Sequence, residues 1–210
     1  MPQSQNTDIA FTPTVKEIQE RLGSREGYAR KEERGGFEDT ITEDLALFIA
    51  HRDSFYLGTA NLEGQPYIQH RGGPPGFLRV LDCKTLAFAD FAGNKQYISF
   101  GNLRDNPKAI LFLVDYPNRK RVKIWGEAEV IEDDSNLLQS LLSEGYEAKP
   151  ERVVKFHVKA WEANCPAHLT PRYTEQQVVE IVKSLKQRIW ELEDENRRLK
   201  DHPESREWSG

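Results

Sequence analysis

The stretch SFYLGTANLEGQPYIQHRGGPPGFLRVLDCKTLAFADF, residues 54–91, decides the fold. It is rich in β-branched and aromatic residues, and the polar turn EGQ separates its first two strand-like runs, which predicts a β-hairpin. The GGPPG segment after the hairpin predicts an irregular loop, because prolines cannot donate hydrogen bonds to a β-ladder. FLRVLD and TLAFADF then predict a second pair of strands.

The strand pattern continues on the C-terminal side of this stretch. NKQYISFGNLRDNP predicts a loop and a short helix that ends before Pro107. KAILFLVDY, RVKIWGEAEVIE and ERVVKFHVKAW predict three further strands, and residues 133–144 predict a helix. Six or seven short antiparallel strands with a few helices favour a mainly β, α+β fold, built as a small barrel, over a doubly wound sheet.

The N-terminal side of the stretch is polar and charged. Residues 1–13 have no predicted element, residues 14–22 predict a short helix, and residues 23–39 predict a surface connection. Thr42 is the predicted N-cap of a helix with Leu45, Phe48 and Ile49 on its apolar face. We divide the chain into an N-terminal helix and arm at 1–41, a barrel at 42–172, a helix at 173–200 and a flexible tail at 201–210.

Composition argues against several classes of protein. The chain has 210 residues and a formal net charge of −5, which is unusual for a general nucleic-acid binder. Its two cysteines, Cys83 and Cys165, suggest neither a disulfide framework nor a metal site. The N-terminus lacks the basic start and apolar run of a signal peptide, and no apolar run is long enough for a membrane span. We therefore expect a cytoplasmic protein that does not bind membranes.

Residues 174–200 have the clearest periodicity in the chain. Apolar positions step by alternating four and three, which is a heptad repeat. The a and d positions are Val178, Val182, Leu185, Ile189, Leu192, Asn196 and Leu199. β-branched residues at a, leucine at d and one Asn at a predict a parallel two-stranded coiled coil. The alternative is a helix that packs on its own domain.

Two strand ends carry residues that suit a polar ligand. Gln69, His70 and Arg71 end a predicted strand directly before the Gly-rich loop, where an Arg and two hydrogen-bonding groups could clamp a phosphate or a polar ring edge. Arg121 lies in a basic hairpin, and its side chain could reach a bound anion from the strand face. A solvated strand end and a solvated turn have the same patterns.

Two loops add further candidates. Residues 94–96 enter a short helix, where backbone N–H groups and one ammonium group form an anion site. Cys165, His168 and Arg172 lie in a Pro-bounded loop near the end of the predicted barrel. A Cys/His hydrolase is conceivable there, but three residues of separation do not indicate a catalytic pair.

Together these stretches are similar to a known family. YIQHRGGPPGFLRVLD, FADFAGNKQYISFGNL, DYPNR and an NCP motif followed by PRY occur in one order, and over about residues 42–172 they resemble the pyridoxamine 5′-phosphate oxidase-like family of FMN-binding split β-barrels. The resemblance implies a six- to seven-stranded antiparallel split barrel. It also implies a homodimer with FMN at the interface, contacted by both subunits.

The resemblance assigns roles to individual residues. Those that it implies for FMN are Gln69, His70, Arg71, Ala89, Asp90, Asn94, Lys95, Gln96, Arg121, Trp161 and Arg172. Cys165 and His168 are candidate catalytic residues on the substrate side, and His168 could shuttle a proton near neutral pH.

Departures from the family limit the functional prediction. The true oxidases hold pyridoxal phosphate with a C-terminal Arg-Leu-His-Asp-Arg stretch, and this chain has PAHLTPRY instead, so vitamin B6 oxidation is not predicted. The expected function is an FMN-dependent oxidoreductase that transfers hydride at flavin N5 to or from a small molecule, with NAD(P)H as a candidate reductant. The alternative is a non-catalytic flavin-binding sensor, carrier or scaffold. A third interpretation replaces FMN with a deazaflavin or heme.

Overall fold

The structure is a computed structural model that describes residues 6–164 and 167–201. Its strands are β1 (Ser54–Ala60), β2 (Pro66–Gly72), β3 (Arg79–Asp82), β4 (Thr85–Phe91), β5 (Lys108–Asp115), β6 (Lys120–Ile131) and β7 (Pro150–Asn164). After a 3₁₀ turn at Asn6–Ile9, its α-helices are α1 (Pro13–Arg21), α2 (Arg25–Glu33), α3 (Glu43–Ala50), α4 (Ile98–Asp105), α5 (Ser135–Leu141) and α6 (Glu175–Asp201).

The seven strands form one antiparallel sheet in the order β2-β1-β5-β6-β7-β4-β3. Within the described residues no ladder joins the two edge strands, so the sheet is not closed. Phe55 of β1 nevertheless meets Phe88 of β4 edge-to-face, with ring centroids 5.2 Å apart. Since three other strands separate β1 from β4 in the sheet, the sheet must curl around a shared core. This confirms the predicted split barrel.

The core of the barrel consists of alternate residues of the strands. On β5, Leu111 and Leu113 are fully buried, while the intervening Phe112 is only half-buried on the outer face. Helix α3 adds Leu45 and Ile49 to the same core. Its start is fixed as predicted, because the Thr42 hydroxyl oxygen accepts a hydrogen bond from the Leu45 amide at 3.2 Å.

The N-terminal arm differs from the sequence prediction. Residues 25–33, expected to be a surface connection, form α2. This helix buries no residue, so no apolar stripe marks it in the sequence. Its contacts are mainly polar: Arg25 pairs with Glu32, and the hydroxyl of the buried Thr7 donates to Glu32 at 3.0 Å, while Tyr28 meets the Phe11 ring edge-to-face. Hydrophobic periodicity cannot reveal an element fixed in this way.

The chain divides into two units, residues 1–115 with 119–168, and residues 116–118 with 169–210. The second unit contains α6. Thr174 and Gln177 cap its start reciprocally, because each side chain accepts a hydrogen bond from the backbone amide of the other. No residue of α6 is buried. Among the described helices, none is long and apolar enough to cross a membrane.

Candidate functional site

A small recess in the first unit collects polar and charged side chains from several elements. Its volume is about 50 Å³. It lies where β2, the end of β4, the following loop, the start of α4 and the start of β7 meet. The lining residues are Tyr67, Gln69, Arg71, Asp90, Phe91, Gly93, Asn94, Lys95, Gln96, Tyr97, Ile98, Ser99, Phe100 and Arg152.

Strand alternation on β2 decides which of its residues reach the recess. Tyr67, Gln69 and Arg71 are half-buried and line it, while the intervening Ile68 and His70 are exposed. His70 instead meets the ring of Tyr56 of β1, with centroids 5.5 Å apart. The predicted group of three consecutive ligands is therefore divided between two faces of the sheet.

Asp90 of β4 lies between two arginine side chains. Arg71 of β2 donates to Asp90 Oδ1, and Arg152 of β7 lies with its Nε 3.6 Å from Asp90 Oδ2. The side chains of Arg71 and Arg152 are only 17% and 10% exposed. The Nε atoms of both arginines are buried without a hydrogen-bond partner in the protein.

The loop before α4 has an unusual backbone. Lys95 and Tyr97 adopt left-handed φ angles of 58° and 55°, which are uncommon for residues with a Cβ. Tyr97 is the N-cap of α4, and no side chain caps the first turn of this helix. Ser99 in that turn donates its hydroxyl to Gln69 Oε1 at 2.9 Å, which ties α4 to β2. The first backbone N–H groups of α4 therefore have no capping side chain, and residues 97–100 line the recess.

The charges around the recess favour an anion. Arg71, Lys95 and Arg152 contribute three cationic groups. Asp90 and Glu151 oppose them, since Glu151 Oε2 accepts from Arg152 at 2.6 Å. One positive charge remains in excess, alongside the N-terminus of α4 and several amide and hydroxyl groups. Guanidinium forks and helix N-termini are the groups that proteins use for phosphate.

Other predicted cofactor residues in the first unit lie outside the recess. Ala89 is buried on the opposite face of β4 with Leu141 of α5. Arg121 is half-buried on β6. Trp161 packs against the core, and its indole N–H donates to the Thr40 carbonyl at 2.8 Å. Their cofactor roles stay predictions.

The C-terminal candidates are distributed over both units. His168 of the first unit is exposed and has a left-handed φ of 61°. Arg172 of the second unit stacks its guanidinium over the Tyr116 ring at 4.9 Å. Cys165 lies outside the described residues, so its catalytic role stays a prediction.

Arg152, Tyr97 and Ser99 were not identified from the sequence. The sequence did indicate Arg152, because it alternates in step with Val154 and Phe156, whose side chains face the core, and so lies on the same face of β7. A cation in phase with core residues indicates a buried charge. Tyr97 had no such signal, since nothing in the sequence marks a left-handed tyrosine. Ser99 joins the site only through the tertiary contact between α4 and β2.

A second, larger groove crosses the outer face of the sheet. It measures about 660 Å³ and shares Tyr67 with the recess. Its floor includes a row of paired residues, in which Ile68 of β2 lies opposite Gly58, Gly58 opposite Ile110, and Ile110 opposite Trp125. Ile68 is 68% exposed, so this side of the sheet presents apolar surface to solvent.

Two further observations concern metal ligands and titratable groups. The described residues contain no group of three or more His, Cys, Asp or Glu side chains arranged for a metal ion. The carboxyl of Asp82 has a pKa below its ordinary value, because the Lys84 amide and the Thr85 side chain donate to it. Asp82 is on β3 and does not line the recess.

Comparison with solved structures found proteins with a similar arrangement. HupZ of Group A Streptococcus is 22% identical, with 59% of this chain and 93% of that chain covered and a TM-score of 0.48. An FMN-binding protein from Syntrophomonas wolfei is 14% identical, with 72% and 95% covered and a TM-score of 0.46. General Stress Protein 26 of Bacillus anthracis is 16% identical, with 58% and 91% covered and a TM-score of 0.45. At these scores we infer nothing about function from them.

The comparison with curated proteins found no match. The comparison with family models did find one. The model described as pyridoxamine 5′-phosphate oxidase matches residues 41–165. That segment contains all seven strands and the whole recess. Because the match spans more than half of the 210 residues, the chain belongs to the pyridoxamine 5′-phosphate oxidase family.

Proposed function

We propose that the protein binds FMN, with the phosphate in the recess, and acts as a flavin-dependent oxidoreductase on a small molecule. The observation that carries the proposal is the pair of nearly buried arginines, Arg71 and Arg152, whose Nε atoms have no hydrogen-bond partner in the protein. An unpaired buried donor on a charged group is costly. A phosphate bound by these guanidinium groups would supply hydrogen-bond acceptors to them.

The size of the recess supports a phosphate more than a whole flavin. Pockets that enclose drug-sized ligands measure roughly 300–1,000 Å³. The recess, at about 50 Å³, can hold a phosphate-sized group only. The rest of the ligand must lie outside it, and Tyr67 also lines the groove of about 660 Å³. FMN has this form, a compact anion attached to a large flat ring.

The outer groove also supports a homodimer. It is open to solvent in the single chain, and its floor carries Ile68, Ile110 and Trp125. A second copy packed on this face would bury that apolar surface and enclose whatever lies in the groove. We therefore propose that two chains together complete each flavin site.

In this proposal the protein positions the cofactor and the substrate, and the cofactor carries the redox chemistry. When bound, FMN supplies hydride transfer at its N5. Arg71, Arg152 and Lys95 neutralise the phosphate, and the start of α4 donates backbone N–H groups to it. His168, exposed in its turn, is the proposed proton donor or acceptor for the substrate, since an imidazole can act as either. Reducing equivalents come from the substrate or from NAD(P)H.

Heme is the alternative ligand, and its iron would need a ligand from the protein. No His, Cys or Met occurs among the fourteen described residues that line it. Heme iron takes an axial ligand such as His, Cys, Met or Tyr, and the two tyrosines that line the recess are the ligands available there. A titration with hemin tests this alternative directly.

A non-catalytic role is the second candidate, and the exposed apolar seam of α6 favours it. A protein that binds flavin and presents a helix to partners could act as a sensor, carrier or scaffold. A measurement of turnover distinguishes this role from that of an enzyme. If the FMN-loaded protein oxidises NADPH or NADH in air, or reduces members of a quinone, nitroaromatic and enone panel, it is an enzyme.

His168 provides the matched test of the catalytic proposal. His168→Ala should lower turnover, with FMN affinity unchanged. His157→Ala, an exposed residue on β7, is the control and should leave both unchanged. Bound FMN without any turnover across the panel would instead assign the protein to the second candidate.

A further inference from the structure

The apolar seam of α6 is exposed along its length. Val178, Leu185, Ile189 and Leu199 are 47%, 58%, 52% and 62% exposed. These positions follow the a/d pattern that forms a narrow stripe on one side of a helix. Charged and polar residues cover most of the other sides, where Val179, Ile181 and Trp190 are also exposed. A stripe of this kind is stable in water only when another surface covers it.

We propose that α6 pairs with α6 of a second copy as a parallel, in-register, two-stranded coiled coil. Residues 178–199 then form seven successive layers, from Val178 to Leu199. Val182 and Ile189 at a, with Leu185 and Leu192 at d, are the combination that favours two strands. The pairing concerns α6 alone and would stand even if the barrel bound no flavin.

The charges beside the seam fit this partner. Arg188 at g would face the partner's Glu193 at e, and Glu195 at g would face the partner's Lys200 at e. In the single chain Arg188 contacts Glu191 at 3.1 Å, with both side chains more than half exposed. Such an exposed pair contributes little, so exchanging it for a contact across the seam costs little.

Asn196 determines the orientation of the pair. In a parallel register it meets the partner's Asn196, and the two amides can hydrogen-bond to each other. Its Nδ2 already donates to the Leu192 carbonyl at 2.9 Å, which leaves Oδ1 as an acceptor for the partner's amide. Antiparallel registers would place Asn196 against the partner's Val178 or Leu185. A buried amide without a partner is unfavourable, so the parallel register is preferred.

Cysteine substitution in the full-length protein tests the pairing. A d residue faces its own copy only in the parallel, in-register arrangement, so Leu192→Cys should form a disulfide between residues 192 of two chains in a glutathione buffer. Leu185→Cys should do the same one heptad earlier. Asp194→Cys, on the outer side at f, is the control and should form almost none. Peptide mass mapping separates these linkages from those of Cys83 and Cys165.

Charge reversal tests the same pairing independently. With Leu185→Cys as the reporter, Arg188→Glu should lower the equilibrium constant for disulfide formation roughly three- to thirtyfold, because two attractive contacts per dimer become repulsive. Adding Glu193→Arg should restore it to within about twofold. Glu180→Arg, at f, should have no effect.

Two results would overturn the proposal. One is a yield of linked chains for both d variants that does not exceed that of Asp194→Cys. The other is a failure of Glu193→Arg to rescue Arg188→Glu. Either result assigns the seam to a different partner. Both measurements are made on flavin-free and FMN-loaded protein, and we expect the same outcome in each.

Discussion

Arg71 of β2 donates to Asp90 of β4, although these two strands share no ladder and belong to opposite ends of the sheet. The contact links the two ends of the open barrel through an ion pair rather than through backbone hydrogen bonds. It also holds the Arg71 guanidinium at the mouth of the recess. The same carboxylate lies close to Arg152, so one acidic group positions both arginines that the proposed phosphate would contact.

Asp90→Asn should destabilise the flavin-free protein. The substitution leaves two nearly buried cations without their common counterion, and breaking a buried pair in this way costs about 3–5 kcal/mol of unfolding free energy. Chemical denaturation followed by tryptophan fluorescence measures the change. Added inorganic phosphate should recover part of the loss, because an anion in the recess replaces the missing charge.

The exposed pair between Glu127 and Lys159 provides the control for this experiment. Both side chains are nearly half exposed. Glu127→Gln should change the unfolding free energy by less than about 0.5 kcal/mol. Equal effects of the two substitutions would mean that Asp90 has no special role in holding the arginines.

Arg152→Ala should weaken FMN binding and leave riboflavin binding nearly unchanged. The guanidinium is proposed to contact the phosphate, which riboflavin lacks, and a charge-assisted hydrogen bond contributes about 1.5–3 kcal/mol. The expected loss of FMN affinity is therefore about tenfold to a hundredfold, measured by quenching of flavin fluorescence. The FMN affinity of Arg152→Lys should lie between those of the wild type and Arg152→Ala, because lysine keeps the charge and loses the two-pronged hydrogen bonding of the guanidinium group. A parallel loss for riboflavin would show that Arg152 acts through the fold instead.

Substitutions of Lys95 should separate backbone strain from ligand binding. Lys95→Ala and Lys95→Gly both remove the ammonium group, so both should weaken FMN binding about equally. Only glycine relieves the left-handed backbone at φ 58°, by roughly 1 kcal/mol or less. Lys95→Gly should therefore unfold at a higher denaturant concentration than Lys95→Ala. The same midpoint for both variants would contradict the strained loop.

Gly126 of β6 should tolerate no larger side chain. It lies at the bulge between β6 and β7, where a Cβ would overlap the carbonyl oxygen of His157 and the ring of Phe156. Gly126→Ala should lower the unfolding free energy by more than about 2 kcal/mol, since the backbone of β7 must move. Gly101→Ala, in α4 with no atom near its Cβ position, should stabilise by about 0.5–1 kcal/mol. A neutral Gly126→Ala would contradict the observed register.

Much of the fold could be predicted from the sequence, because the pattern of hydrophobic residues indicates it. The strands, the hairpin of β1 and β2, the Thr42 cap and the heptads of α6 all follow from spacing. Helix α2 was missed because ion pairs hold it. His70 was grouped with Gln69 and Arg71 because adjacency in sequence hides the alternation that separates their side chains. Arg152 could have been identified by extending the alternation of inward-facing and outward-facing residues on β7 by one residue toward its N-terminus.

Titration of the flavin-free protein with FMN, riboflavin and inorganic phosphate, followed by calorimetry, tests the central claim most directly. We expect one FMN per chain, riboflavin bound at least tenfold more weakly, and competition between phosphate and FMN for the recess. Failure to bind FMN at all, or equal affinity for FMN and riboflavin without competition by phosphate, would contradict the assignment of the recess to the FMN phosphate.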